Sequence, residues 1–154
     1  AITTYVGQNL GAKKYRRIRN GVRSGVYMAL ITSIVISGVM VITGRNILSL
    51  FVSGEAGQVK QVLDIAYKYL FIMAIFLWVL YLLYVYRSAI QGLGNTLIPL
   101  ASGVVEFCMR VGVALLLPKL IGEDGIFYAE ISAWSGAAIL LIVSYVVIIR
   151  KYKE

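Results

Sequence analysis

Residues 69–86 read YLFIMAIFLWVLYLLYVY, eighteen consecutive positions without a charge. Crossing the hydrocarbon of a bilayer as an α-helix takes about 20 mostly apolar residues, so this stretch reads as the heart of a membrane span. Three other stretches share the pattern. Residues 24–44 and 131–149 carry no charge, and 97–118 is apolar apart from Glu106 and Arg110. The chain of 154 residues is 60% apolar and 14% charged, whereas an ordinary soluble domain carries about 25% charged residues. A chain of this length also lacks the surface to bury four such helices in a soluble core. The expected fold class is all-α integral membrane: four transmembrane helices at about 21–44, 62–90, 97–118 and 126–149, plus the tail of a fifth at 1–12.

A net charge of +8 in a soluble chain would suggest a nucleic-acid partner. Here the bases cluster beside the spans, which is what membrane topology demands, so the partner expected is the lipid bilayer and not nucleic acid. Lys13, Lys14, Arg16, Arg17, Arg19 and Arg23 precede the first full span. Arg45, Lys60 and Lys68 follow it, offset by Glu55 and Asp64. Arg87 stands before the turn at 91–96. Lys119 follows with Glu123, Asp124 and Glu130, and Arg150, Lys151 and Lys153 close the chain. Alternate segments hold ten and four bases, so the positive-inside rule places both ends of the chain in the cytoplasm of a multi-pass cell-membrane protein.

The chain has no histidine and one cysteine, Cys108. That composition offers no disulfide framework, no zinc site and no cofactor. It also lacks a nucleophile beside a base, so a membrane enzyme is not expected. Residues 1–12 read as the end of a helix that begins upstream, which makes a fragment of a longer protein the expectation.

Gly21, Gly25, Ala29, Ser33 and Ser37 recur every four residues on the first full span, and Ala129, Ala133 and Ala137 do so on the last. Small residues at this spacing let helix backbones approach closely in lipid, where packing replaces the hydrophobic effect. Ser33 and Ser37 also have hydroxyls that could touch a substrate. The second span is rich in aromatics; those near its ends read as interfacial belt residues. Trp78 and Tyr81 lie deeper and could offer a π surface to a lipophilic cation, or simply pack. The turn QGLGNT, 91–96, has Gly92 and Gly94 to end one helix in a left-handed cap. Asn95 or Thr96 then caps the next, with Pro99 in its first turn.

Glu106 and Arg110 are one helical turn apart near the midplane. An acid four residues before a base is the favourable order for pairing along one helix, and the two are expected to form an intramembrane charge pair. Either one alone at the bilayer centre costs about 2.5–3.5 kcal/mol, so their face, extended by Ser102 and Ala114, should point into a bundle or a wet cavity. A fixed brace and a carboxylate that exchanges a proton or cation are the competing roles; pairing that holds the carboxylate ionised favours the brace.

Three stretches in order, VGQNLGAKKYRRIR at 6–19, AIQGLGNTLIPL at 89–100 and GIFYAEISAW at 125–134, together resemble the multidrug and toxic compound extrusion (MATE) family over essentially the whole chain. The resemblance implies a twelve-helix transporter of two six-helix lobes, of which 1–154 would be part of the C-terminal lobe, from the end of helix eight through helix twelve. It implies cation-coupled antiport, with H+ or Na+ driving organic cations or drugs outward by alternating access, and an N-terminal lobe as partner. One branch of the family uses an aspartate within its tenth helix, but 69–86 holds no acid and Asp64 lies only at its outer mouth. The other branch keeps its key aspartate in the first helix, which implies coupling through the other lobe. Ile131 stands where many relatives have proline. Two alternatives are a lipid-linked oligosaccharide flippase of the same superfamily, which would need a broad cationic cavity, and a non-transporting membrane assembly subunit.

Overall fold

The computed structural model describes residues 1–54 and 56–152. Glu55 and Lys153, both counted in the charge distribution above, lie outside the described residues. Five helices follow in order: α1 Ile2–Gly11, α2 Tyr15–Ser49, α3 Ala56–Gly92, α4 Leu97–Ile121 and, after a single 3₁₀ turn at Glu123–Ile126, α5 Phe127–Lys151. The all-α class is as expected, and α2 to α5 are each long and apolar enough to cross a membrane.

Two helices are longer than their apolar cores. At about 1.5 Å per residue, the 35 residues of α2 and 37 of α3 run well past a hydrocarbon layer of about 30 Å. Arg16, Arg17 and Arg19, expected before the helix at 21, occupy its first turns instead. Nothing in YRRIRNGVR breaks a helix strongly, and arginine is a good helix former. Charge marks where the lipid ends, not where the helix does.

α3 is the hub: it packs against α1, α2 and α5, while α4 leans chiefly on α5. The core sits where α1, α2, α3 and α5 converge, around Val6, Ile18, Leu83, Ile90 and Leu141, all with 0% exposure. At the far end of α2, Gly44 receives Leu70, and the Tyr67 hydroxyl donates to the Val41 carbonyl at 2.8 Å. The small-residue row of α2 forms the contact face. Gly21 lies under the Tyr5 ring, Gly25 against Ile2, and Ala29 and Ser33 are buried. On α5, Ala129, Ala133 and Ala137 are likewise buried, and Gly136 accommodates Val105 and Met109 of α4.

The turn between α3 and α4 is a Schellman motif. The Asn95 N–H bonds the Ile90 carbonyl at 3.2 Å and the Gly94 N–H that of Gln91 at 3.0 Å, with Gly94 left-handed at φ +83°. Asn95 then caps α4, its Oδ1 accepting from the Ile98 N–H at 3.0 Å. Gly92 has another purpose than the one expected of it. It remains helical, and a Cβ there would sit 2.7 Å from the Thr3 carbonyl oxygen and 2.7 Å from the Val6 Cβ. Its missing side chain is what allows α1 to cross α3. A second Schellman motif ends α1, with Lys13 at φ +56° in the position that glycine usually takes.

Candidate functional site

The charges gathered around α4 come from three helices. Arg87 lies five residues before the end of α3, about 7 Å along the axis. Glu106 and Arg110 lie in the middle of α4, and Glu130 in the first turn of α5. The expected pairing of Glu106 with Arg110 does not form. Arg87 reaches across to Glu106, and Arg110 reaches to Glu130 with Nη2 to Oε2 at 2.8 Å. The i,i+4 spacing does put both α4 charges on one face, but each meets a better-placed opposite charge on a neighbouring helix. A long guanidinium arm bridges between helices more readily than it folds back along its own.

The inner pair is supported by a hydroxyl. The Arg87 Nη2 also donates to the Ser102 Oγ at 3.0 Å, and that hydroxyl donates to the Pro99 carbonyl at 2.7 Å. Ser102 is fully buried. The arginine stands 6.0 Å from the centre of the Tyr84 ring. About a fifth of each side chain remains exposed, 22% for Arg87 and 19% for Glu106. The outer pair is more open, at 42% for Arg110 and 31% for Glu130, and it lines a cleft of about 350 Å³ with Tyr69, Ala114 and Phe127. Seen in order, the charges run plus, minus, plus, minus from α3 through α4 to α5. The Nε of each arginine is buried and finds no partner among the described residues. Two further ion pairs, Arg45–Asp64 and Lys68–Asp124, each at 2.6 Å, are about half exposed and tie helix ends together.

The other expected site residues separate into groups. Trp78 is 44% exposed, whereas Tyr81, less than one turn on, leans against the core, so the pair does not present one open face. Ser33 is 1% exposed and donates to the Leu30 carbonyl of its own helix at 2.8 Å. Ser37 donates to the Ala74 carbonyl of α3 at 2.6 Å. Both hydroxyls are engaged inside the bundle, a placement that does not suit substrate contact. Gly92 and Gly94 shape the α1 crossing and the α3–α4 turn.

Sequence reasoning missed Arg87 and Glu130 as members of the site, having read both as flanking charges. A signal for them existed: each lies inside a helix, on the element next to α4, at a depth where an arginine can reach the opposite charge.

The family model described as MatE matches residues 1–116. The first two of the three quoted stretches fall within that range, and the third lies beyond it. A search of curated proteins returns no match.

Proposed function

This chain belongs to the MatE family of membrane transporters, and from that premise we propose that it serves a cation-coupled antiporter which exports organic cations or drugs. H+ or Na+ is the coupling ion and is cargo, not a resident cofactor. On this reading residues 1–154 form part of the C-terminal lobe, working against an N-terminal lobe of the full-length protein. Family membership is the observation that carries the proposal.

The charge ladder supports a division of labour. Glu106 of α4 and Glu130 of α5 each hold an arginine. Each carboxylate is occupied by a guanidinium from the neighbouring helix, and removing either partner would strand the other, which suits a contact that ties helices together. The ladder is therefore a brace, and the exchanging acid belongs to the other lobe. Trp78, exposed on α3, keeps an aromatic surface open to a lipophilic cation. A flippase for lipid-linked sugars is less well supported, because Arg87 and Arg110 are matched by acids and leave no free cationic wall around α4 among the described residues.

The basic end of the bundle faces the cytoplasm. Lys13, Lys14, Arg16, Arg17 and Arg19 lie at the end where Arg19 meets the carbonyls of Ile149 and Tyr152, near Arg150 and Lys151.

The test is transport by the full-length protein in proteoliposomes loaded with a fluorescent aromatic cation such as ethidium. Export driven by an opposing H+ or Na+ gradient, and weakened by Trp78→Ala, is the expected result. Gradient-independent behaviour would remove the antiport reading.

A further inference from the structure

A second polar site lies at the basic end, in a cleft of about 250 Å³ between α2, α3 and α5. Arg19 and Arg23 of α2 line it, with Tyr86 of α3 and Tyr145 of α5. The named lining residues include two bases and no acid. We infer that this cleft binds the phosphate headgroup of an acidic phospholipid.

Depth is the first argument. Arg23 is the last charged residue before the uncharged stretch 24–44, and it lies about 12 Å along α2 from Tyr15. It marks the boundary between headgroups and hydrocarbon. Basic pockets between transmembrane helices at this level suit anionic lipid headgroups.

The second argument is unused hydrogen-bonding capacity. Arg19 meets the carbonyls of Ile149 at 3.3 Å and Tyr152 at 2.7 Å with Nη2, and among the described residues its Nε and Nη1 meet no other acceptor. Arg23 directs Nε and Nη2 to the Tyr27 hydroxyl at 3.3 Å each, a long and exposed contact that a phosphate oxygen would displace. Tyr145 is 7% exposed, and its hydroxyl is buried without a partner among the described residues. Its ring is held by Tyr86, centroids 5.4 Å apart. A buried donor in that condition costs about 1–3 kcal/mol, which an acceptor entering the cleft would relieve.

The walls argue for a lipid over a free anion. Val22 and Val26 of α2 and Ile149 of α5 line the same cleft. Acyl chains could follow such a surface away from the headgroup; inorganic phosphate would gain nothing from it.

The experiment measures lipid retention by the purified full chain in detergent, using native mass spectrometry with phosphatidylglycerol, phosphatidylcholine or inorganic phosphate added. Phosphatidylglycerol should be retained preferentially. Arg23→Gln should weaken it about fivefold, the effect of one base near an anionic surface. Tyr145→Phe, which keeps the ring and the packing, should weaken it about threefold. Lys14→Gln and Arg150→Gln, outside the cleft, should leave it unchanged. Equal retention of phosphatidylcholine would overturn the inference. So would equal losses from Lys14→Gln and Arg23→Gln, which would mean diffuse attraction, and so would full displacement by inorganic phosphate, which would mean a free-anion site.

Discussion

Arg87 of α3 and Glu106 of α4 grip each other across an interface where the two helices otherwise touch little. The helices are joined by a four-residue turn, yet α4 leaves to lie on α5. The ion pair, with Ser102 behind it, is the main tie between them.

Glu106→Gln strands that arginine in a setting with little water. Fully buried pairs lose about 3–5 kcal/mol when one partner goes; with a fifth of each side chain exposed, about 2 kcal/mol is expected here. Folded yield and thermal stability of the full-length protein should fall, with little change in the pH dependence of transport. Adding Arg87→Gln should recover part of the loss. A well-folded Glu106→Gln protein with altered ion coupling would show that the carboxylate takes part in exchange.

Double-mutant cycles separate the two possible pairings on α4. Glu106 with Arg110 should couple by less than about 0.5 kcal/mol, while Arg110 with Glu130 should couple by about 1 kcal/mol, modest because both are partly exposed. Strong coupling between positions 106 and 110 would restore the intrahelical pair.

Three glycines on or next to one helical hairpin should respond differently to alanine. Gly92→Ala drives a methyl into the Thr3 carbonyl and Val6, and should cost about 2 kcal/mol by forcing α1 off α3. Gly94→Ala meets no atom within 4 Å but keeps φ +83°, so it should cost about 1 kcal/mol in strain alone. Gly103→Ala, in helix with open space around it, should be neutral or slightly stabilising. Thermal denaturation of the three variants in one detergent gives the ranking.

Orientation is open to a labelling test. In a Cys108→Ala background, Lys60→Cys should react with an impermeant maleimide added outside intact cells, and Lys14→Cys only after permeabilisation. The reverse pattern would invert the assigned topology.

The sequence carries the spans because hydrocarbon demands an unbroken apolar run from a helix, and the small-residue rows because lipid rewards close packing. The face of α4 that holds Ser102, Glu106, Arg110 and Ala114 was equally legible, since a spacing of four fixes it. The partners were not. Choosing between Arg110 and Arg87 for Glu106 depends on how α3 sits beside α4, and no local period encodes that. Ser33 shows the same limit. Its hydroxyl looked available to a ligand, yet helix packing closes over it, and the close approach allowed by its own row of small residues is the reason.

The ladder from Arg87 to Glu130 has an electrical consequence. One elementary charge carried through the membrane potential is worth about 2.3 kcal/mol per 100 mV. Two positive and two negative groups, held in adjacent pairs, cancel. Tilting α3, α4 and α5 together therefore moves no net charge of this ladder through the field. Voltage has no lever on the helices through these residues, and any voltage sensitivity of transport must arise from the cargo or from charges elsewhere.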